Sequence, residues 1–161
     1  MKFRTRYVNT RDAAIRNVLL YLQKKCLPSD KPCDVLHGHW WIVYTCSGIP
    51  VAFAGLTRSS QWLDAGYLCR AGVTPDYTGN GLQKRLIRVR MAKAKKLNWN
   101  WLITDTTSNP ASSNSLISQG FKLYEPAAPW AYKHSLYWRL NISKDNSRAI
   151  QRSRSKKAKA P

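Results

Sequence analysis

The chain has 161 residues, 43% hydrophobic and 11% aromatic, enough to bury the core of one ordinary domain. Its 27 Lys and Arg against 8 Asp and Glu give a formal net charge of +19, a field that draws nucleic acid, a phosphorylated cofactor, an acidic protein or an anionic membrane surface. No run of about 18 apolar residues occurs, so no transmembrane helix and no membrane partner are expected. The opening MKFRTRYVNTRD lacks the apolar centre of a secretion signal.

In chain order, KFRTRYVNT alternates as a first strand, and RDAAIRNVLLYLQKKC carries a helical apolar stripe at Ala14, Ile15, Val18, Leu19 and Leu22. Thr10 or Asp12 is placed to cap that helix. After the loop LPSDKPCD come HWWIVYTC, the turn SGIP and VAFAGLTRS, two strands of a hairpin. GYLCRAGV reads as a fourth strand, and residues 82–97 as a helix. On that helix Leu82, Leu86 and Val89 share a face, and Lys84, Arg85, Arg88, Arg90, Lys93, Lys95 and Lys96 read as a solvated basic surface. WNWLITDTT is a fifth strand, PASSNSLISQG a short helix stopped at Gly120, and FKLYE and SLYWRLNI two more strands. The order β-α-β-β-β-α-β-α-β-β predicts an α/β or α+β domain with a mixed sheet over residues 1–142.

Residues 143–161 hold seven Lys and Arg against Asp145 and few apolar side chains, so a basic, disordered tail is expected. The body keeps 20 basic residues against 7 acidic ones and is basic in its own right. Cys26, Cys33, Cys46 and Cys69 form no CxxC pair, which suits reduced thiols in the cytoplasm. The one loose metal-ligand set, Cys26, Cys33, His37 and His39, matches no structural zinc spacing, so no metal is expected. Cys69 on the fourth strand reads as a small core residue rather than as an acyl-carrying nucleophile.

The segment GVTPDYTGNGLQKRLI leaves a strand, passes Gly79 and Gly81 and enters a helix. First-turn amides have no partner within a helix, and the helix dipole is positive there. Glycines let a phosphate approach that backbone, so the amides of Gly79, Asn80, Gly81 and Leu82 can cradle a pyrophosphate, with Lys84 and Arg85 adding charge. The rival reading is a plain strand-to-helix turn. A dinucleotide fingerprint would need a glycine at Lys84, and a P-loop would need Lys-Ser/Thr after Gly81.

A second pattern follows the next strand: Asn109, Ser112, Gly120 and Phe121. Together with Val73, Pro75, Tyr77, Gly79 and Gly81, it resembles the two signatures of the GNAT superfamily of N-acetyltransferases. The resemblance runs over about residues 3–142 by element order. It departs at Asp76, where the family carries Gln or Arg. The resemblance implies a mostly antiparallel central sheet flanked by helices, with a V-shaped splay between strands four and five that holds acetyl-CoA. It further implies that the backbone at Val73 pairs with the pantetheine arm, that residues 78–82 take the pyrophosphate, and that Asn109 contacts the pantetheine with Ser112 beside it.

Leu116 stands where the family's usual acidic Tyr would be, and Thr104 where some members carry a Glu base. Substitutes are Ser115 or Ser118 as donor to the leaving thiolate. Asp105, Asp64, Tyr67, Tyr124, Tyr132 and His134 are candidates on the acceptor side. Strand alternation sets Asp105 on the face opposite Thr104. Ser115 and Asp105 are the catalytic candidates carried forward. Of the seven Trp, Trp40, Trp41, Trp99 and Trp101 fall in strands; Trp62, Trp130 and Trp138 border the acceptor loops, of which AAPWAYKH faces the acceptor most directly.

The expected activity is transfer of an acetyl group from acetyl-CoA to a primary amine. The alternative is a catalytically weak module on the same fold that binds CoA or nucleic acid through its basic surface. The body and the tail would draw nucleic acid or an acidic protein. Compact basic members of the superfamily are also carried by tailed phages, in which case the compartment is the host cytoplasm.

Overall fold

The computed structural model describes residues 1–144. The expectation of a disordered tail falls, from residue 145 onward, outside the described residues. Eight strands form one sheet: β1 (Phe3–Val8), β2 (His39–Thr45), β3 (Pro50–Arg58), β4 (Ala65–Tyr67), β5 (Ala71–Val73), β6 (Trp101–Thr106), β7 (Lys122–Tyr124) and β8 (Leu136–Asn141). Among the described residues, three α-helices flank it, α1 (Ala13–Cys26), α2 (Leu82–Lys96) and α3 (Pro110–Ser118). The strand order is β1-β2-β3-β4-β6-β8-β7, with β5 paired only to β3. All pairings are antiparallel except β4 with β6. The fold is the mixed, mostly antiparallel α/β sheet that the sequence predicts.

The elements form for local reasons. Asp12 caps α1, its carboxylate accepting from the Ala14 amide at 2.9 Å. Replacing it with Ala should cost about 0.5–2 kcal/mol, read as a lower urea midpoint at unchanged slope. From α1, Leu19 and Leu22 are fully buried against Trp40, Ile42 and Phe53, whereas Ala14 stays exposed. Buried Gln23 pins the following loop, donating to the Lys31 carbonyl at 2.7 Å and accepting from the Cys33 amide at 3.2 Å. On the other sheet face, α2 and α3 bury Leu82, Leu86, Ile87, Ala94 and Leu116 against Trp41, Val43, Ala52, Leu102 and Trp138.

Three expectations need correcting. The fourth predicted strand is two strands, because residues 68–70 carry the chain from pairing with β6 to pairing with β3 alone. Trp99 precedes β6 and packs its ring over Gly66 instead of lying in a strand. Trp138 lies within β8 in the core, its indole donating to the Thr106 hydroxyl at 2.9 Å, and borders no loop.

Candidate active site

The site begins where the sheet divides. Leu68 donates its amide to the Ile103 carbonyl at 3.0 Å, and the Thr104 hydroxyl donates to the Leu68 carbonyl at 2.9 Å. Beyond this apex β5 leans on β3, and β6 pairs only with β8. The edge of β5 that ends at Val73 is therefore unpaired on the side of β6, which is the expected V-shaped splay. A cleft of about 740 Å³ occupies it, walled by Gln83, Ile87 and Arg90 of α2 and by Asn109, Ser112 and Leu116 at α3.

The turn into α2 comes just before Gln83 of the cleft wall; residues 78–82 do not themselves line that cleft, and Asn80 and Leu82 border a second, smaller cavity with Phe3 and Arg85. Gly79 and Gly81 adopt left-handed backbone, φ +78° and +70°, and a Cβ at either would meet nothing within 4 Å. The first helical bond runs from the Arg85 amide to the Gly81 carbonyl at 3.1 Å. The amides of Gly79, Asn80, Gly81 and Leu82 make no backbone hydrogen bond among the described residues, and the space around Gly79 and Gly81 is open; the Thr78 amide, expected in the same cradle, instead donates to the Pro75 carbonyl at 3.3 Å. Asn80 braces the turn, its side chain donating to the Tyr77 carbonyl at 3.0 Å, and the Thr78 hydroxyl donates to the Pro75 carbonyl at 2.9 Å. Asn109 caps α3, accepting from the Ser112 amide at 3.1 Å, which leaves its side-chain amide group for a ligand.

At the mouth of the cleft, Asp105 accepts from the Tyr67 hydroxyl at 2.8 Å and, on its second oxygen, from Ser135 at 3.4 Å. No cation pairs with it among the described residues. Burial first, then the Asp105 charge, pushes the Tyr67 phenol far up, so it stays protonated and donating. Trp130 stands edge-on to Tyr67 at 5.7 Å and to Tyr137 at 4.9 Å between ring centroids. Trp130, Ala131 and Tyr132, all from the AAPWAYKH loop, line this mouth.

The cleft thus brings together Asn109, Ser112, Asp105, Tyr67 and Tyr132, whereas Val73 and residues 78–82 are not among its lining. Ser115 is not among its lining residues: its hydroxyl donates to the Ala111 carbonyl at 2.9 Å, one turn back in α3. Ser118 donates likewise to the Ser115 carbonyl, and Asp64 binds Asn100 at the far end of β4. Neither these two nor His134 lines the cleft. Thr104 and Leu116 do line it, but the first is tied to the apex and the second is packed in the core.

Burial pushes the Cys69 thiol up to about 11, which makes it a poor nucleophile at neutral pH. Cys26 is likewise raised to about 11 by burial. His37 faces Asp34 at 2.5 Å, and His39 meets the Tyr7 hydroxyl at 2.8 Å. Among the described residues no group of three or more His, Cys, Asp or Glu is placed to hold a metal.

Arg90 is the residue that sequence reasoning misplaced. It is 2% exposed and lines the cleft. The signal was the spacing Leu82, Leu86, Arg90, Ala94, which sets the arginine in line with the buried face of α2.

No protein-family model matches the sequence, and no curated protein does either. Solved structures do. The ribosomal-protein-S18-alanine N-acetyltransferase from Escherichia coli is 15% identical at a TM-score of 0.68, over 88% of this chain and 95% of that one. A GNAT-family acetyltransferase from Staphylococcus aureus is 14% identical at 0.69, over 88% and 100%. A Bacillus subtilis acetyltransferase in complex with CoA is 16% identical at 0.65, over 87% and 99%. At such identities the likeness establishes the fold, which is that of the GNAT acetyltransferases.

Proposed function

We propose that this chain, built on the GNAT acetyltransferase fold, is an acetyl-CoA-dependent N-acyltransferase that acetylates a primary amine. The observation that carries the reading is the splay opening at Leu68 and Thr104, with an open glycine turn leading into its Gln83 wall and the Asp105 carboxylate, which has no cationic partner among the described residues, in its lining. A ligand with a pyrophosphate, an amide-bearing arm and a reactive end fits that layout. The amides of residues 79–82 take the pyrophosphate, and the unpaired edge of β5 at Val73 pairs with the arm, as does the Asn109 side-chain amide. Ser112 flanks the arm at the start of α3.

Asp105 draws the acceptor ammonium between Tyr67 and Trp130, takes its proton and leaves a neutral nitrogen to attack. Holding both partners in one narrow cleft supplies much of the rate by itself. In this reading the exposed Lys84, Arg85, Arg88, Lys95 and Lys96 of α2 raise the potential near the phosphates and attract nucleic acid or an acidic protein that carries the amine.

A second reading, a module that binds CoA or nucleic acid without transferring acetyl groups, is favoured by one observation. The positions of the usual acid and base hold Leu116 and Thr104.

Calorimetric titration of acetyl-CoA into the full chain, followed by incubation of a cell lysate with labelled acetyl-CoA, separates the readings. Saturable binding with label entering amines is the expected result. Binding without transfer supports the module, and absence of binding overturns both uses of the cradle.

A further inference from the structure

Breaking a thioester leaves a negative charge on sulfur, and the cleft offers no proton donor where the family's usual tyrosine stands. Leu116 is apolar, and the Ser115 hydroxyl is spent on the Ala111 carbonyl. What the cleft does contain is a buried cation. Arg90 donates from Nε to the Leu86 carbonyl at 3.0 Å, and from one terminal nitrogen, Nη1, to the Gly55 and Cys69 carbonyls at 3.3 and 3.5 Å.

Its other terminal nitrogen, Nη2, has no acceptor among the described residues, and no carboxylate there lies within ion-pair reach. A buried guanidinium without an anion is costly, and it strengthens any anion brought against it. Burial lowers its pKa to about 10, so it remains charged at neutral pH. Arg90 also sits at the right depth. Nine residues beyond Gly81, it lies about 13.5 Å along the helix from the glycine turn at 1.5 Å per residue, and its Nη1 reaches the Cys69 carbonyl next to the apex residue Leu68. Cys69, whose carbonyl it meets, and Thr104, which is bonded to the Leu68 carbonyl at the apex, line the same cleft.

We propose that Arg90 stabilises the departing thiolate of CoA, supplying by charge what a tyrosine elsewhere supplies by a proton. The inference rests on the acetyl-CoA reading. The amine nitrogen forms the new C–N bond to the acetyl carbon as the C–S bond breaks. The electron pair of that bond stays on sulfur, opposite the free N–H groups of Arg90. Asp105, having passed the ammonium's first proton to solvent, takes the proton that the nitrogen sheds as the amide forms, and the sulfur takes a proton from solvent when CoA leaves. A purely structural Arg90 would only brace the Gly55 and Cys69 carbonyls freed by the break between β4 and β5.

The test is the acidity of bound CoA. The thiol of CoA in complex with the full chain is titrated by its thiolate ultraviolet absorbance, with the desulfo-CoA complex subtracted so that the protein's own cysteines cancel. The bound thiol should ionise at least one pH unit below free CoA. Arg90→Gln, which keeps a donor for the carbonyls, should abolish the shift while desulfo-CoA still binds, and Arg90→Lys should restore part of it.

A wild-type complex whose thiol titrates like free CoA overturns the proposal whatever the variants do. So does a shift that survives in Arg90→Gln. Should Arg90→Gln lose its near-ultraviolet dichroism, the wild-type and Arg90→Lys titrations decide. Failure of wild type to bind either CoA or desulfo-CoA overturns the acetyl-CoA reading itself.

Discussion

Acetyl-CoA affinity should fall at least about 100-fold when Gly81 is replaced by Glu, a loss of about 2.7 kcal/mol or more. The residue is the N-cap of α2 at φ +70°, and the space before it is open. A carboxylate there occupies the volume of the pyrophosphate and repels it, at the point where the amides and the helix dipole would otherwise hold it.

Left-handed backbone costs a residue with a Cβ roughly 1–2 kcal/mol, so some loss of thermal stability accompanies the change. Gly81→Asn separates strain from charge. Asn tolerates this conformation and brings no charge, so the Asn variant should retain most of the affinity. Calorimetric titration of the three proteins, each checked for folding by circular dichroism, measures the effect. A folded Glu variant that binds like wild type would remove the pyrophosphate from this turn.

Asp105→Asn should slow acetyl transfer by about 10²- to 10⁴-fold, the usual contribution of a positioned proton acceptor. The amide is nearly isosteric, and its oxygen can still accept from Tyr67 or Ser135. Only the charge and the proton affinity are lost. Acetyl-CoA affinity should stay within about threefold, because Asp105 is bonded to Tyr67 and Ser135 and takes no part in the proposed phosphate contacts at residues 79–82. The readout is the initial rate of label transfer from acetyl-CoA into lysate amines. A rate within a few-fold of wild type would relieve Asp105 of any part in proton transfer.

Much of this was legible in the chain. The amphipathic stripe of α1, the hairpin around SGIP and the glycine stop after α3 follow from local spacing, and the structure has each of them. The glycine turn was readable because it joins a strand to a helix start, and the conformations of Gly79 and Gly81 show why no other residue fits as easily.

The break within GYLCRAGV was not readable. Nothing in those residues interrupts a strand; the interruption is imposed by β3 on one side and β6 on the other. Arg90 was misread because composition argues that arginine is solvated, and position within the 82-86-90-94 row argues the reverse. Ser115 looked available as a donor. Its hydroxyl is claimed by the carbonyl one turn earlier, a competition that helical serines meet regularly.

The parallel pairing of β4 with β6 has a mechanical consequence. Ala65, Gly66 and Tyr67, opposite Trp101, Leu102 and Ile103, form the ladder that stitches the N-terminal strands to the C-terminal ones. The sheet is therefore two panels joined by a short seam that is paid for late, since its two sides are separated in sequence by all of α2. Along such a seam the panels can part before either one unravels. A molecule lodged in the gap and bonded to both edges would act as a splint across the joint. Occupancy would then be felt as rigidity far from the contacts themselves, and the panels would come apart most readily between turnovers.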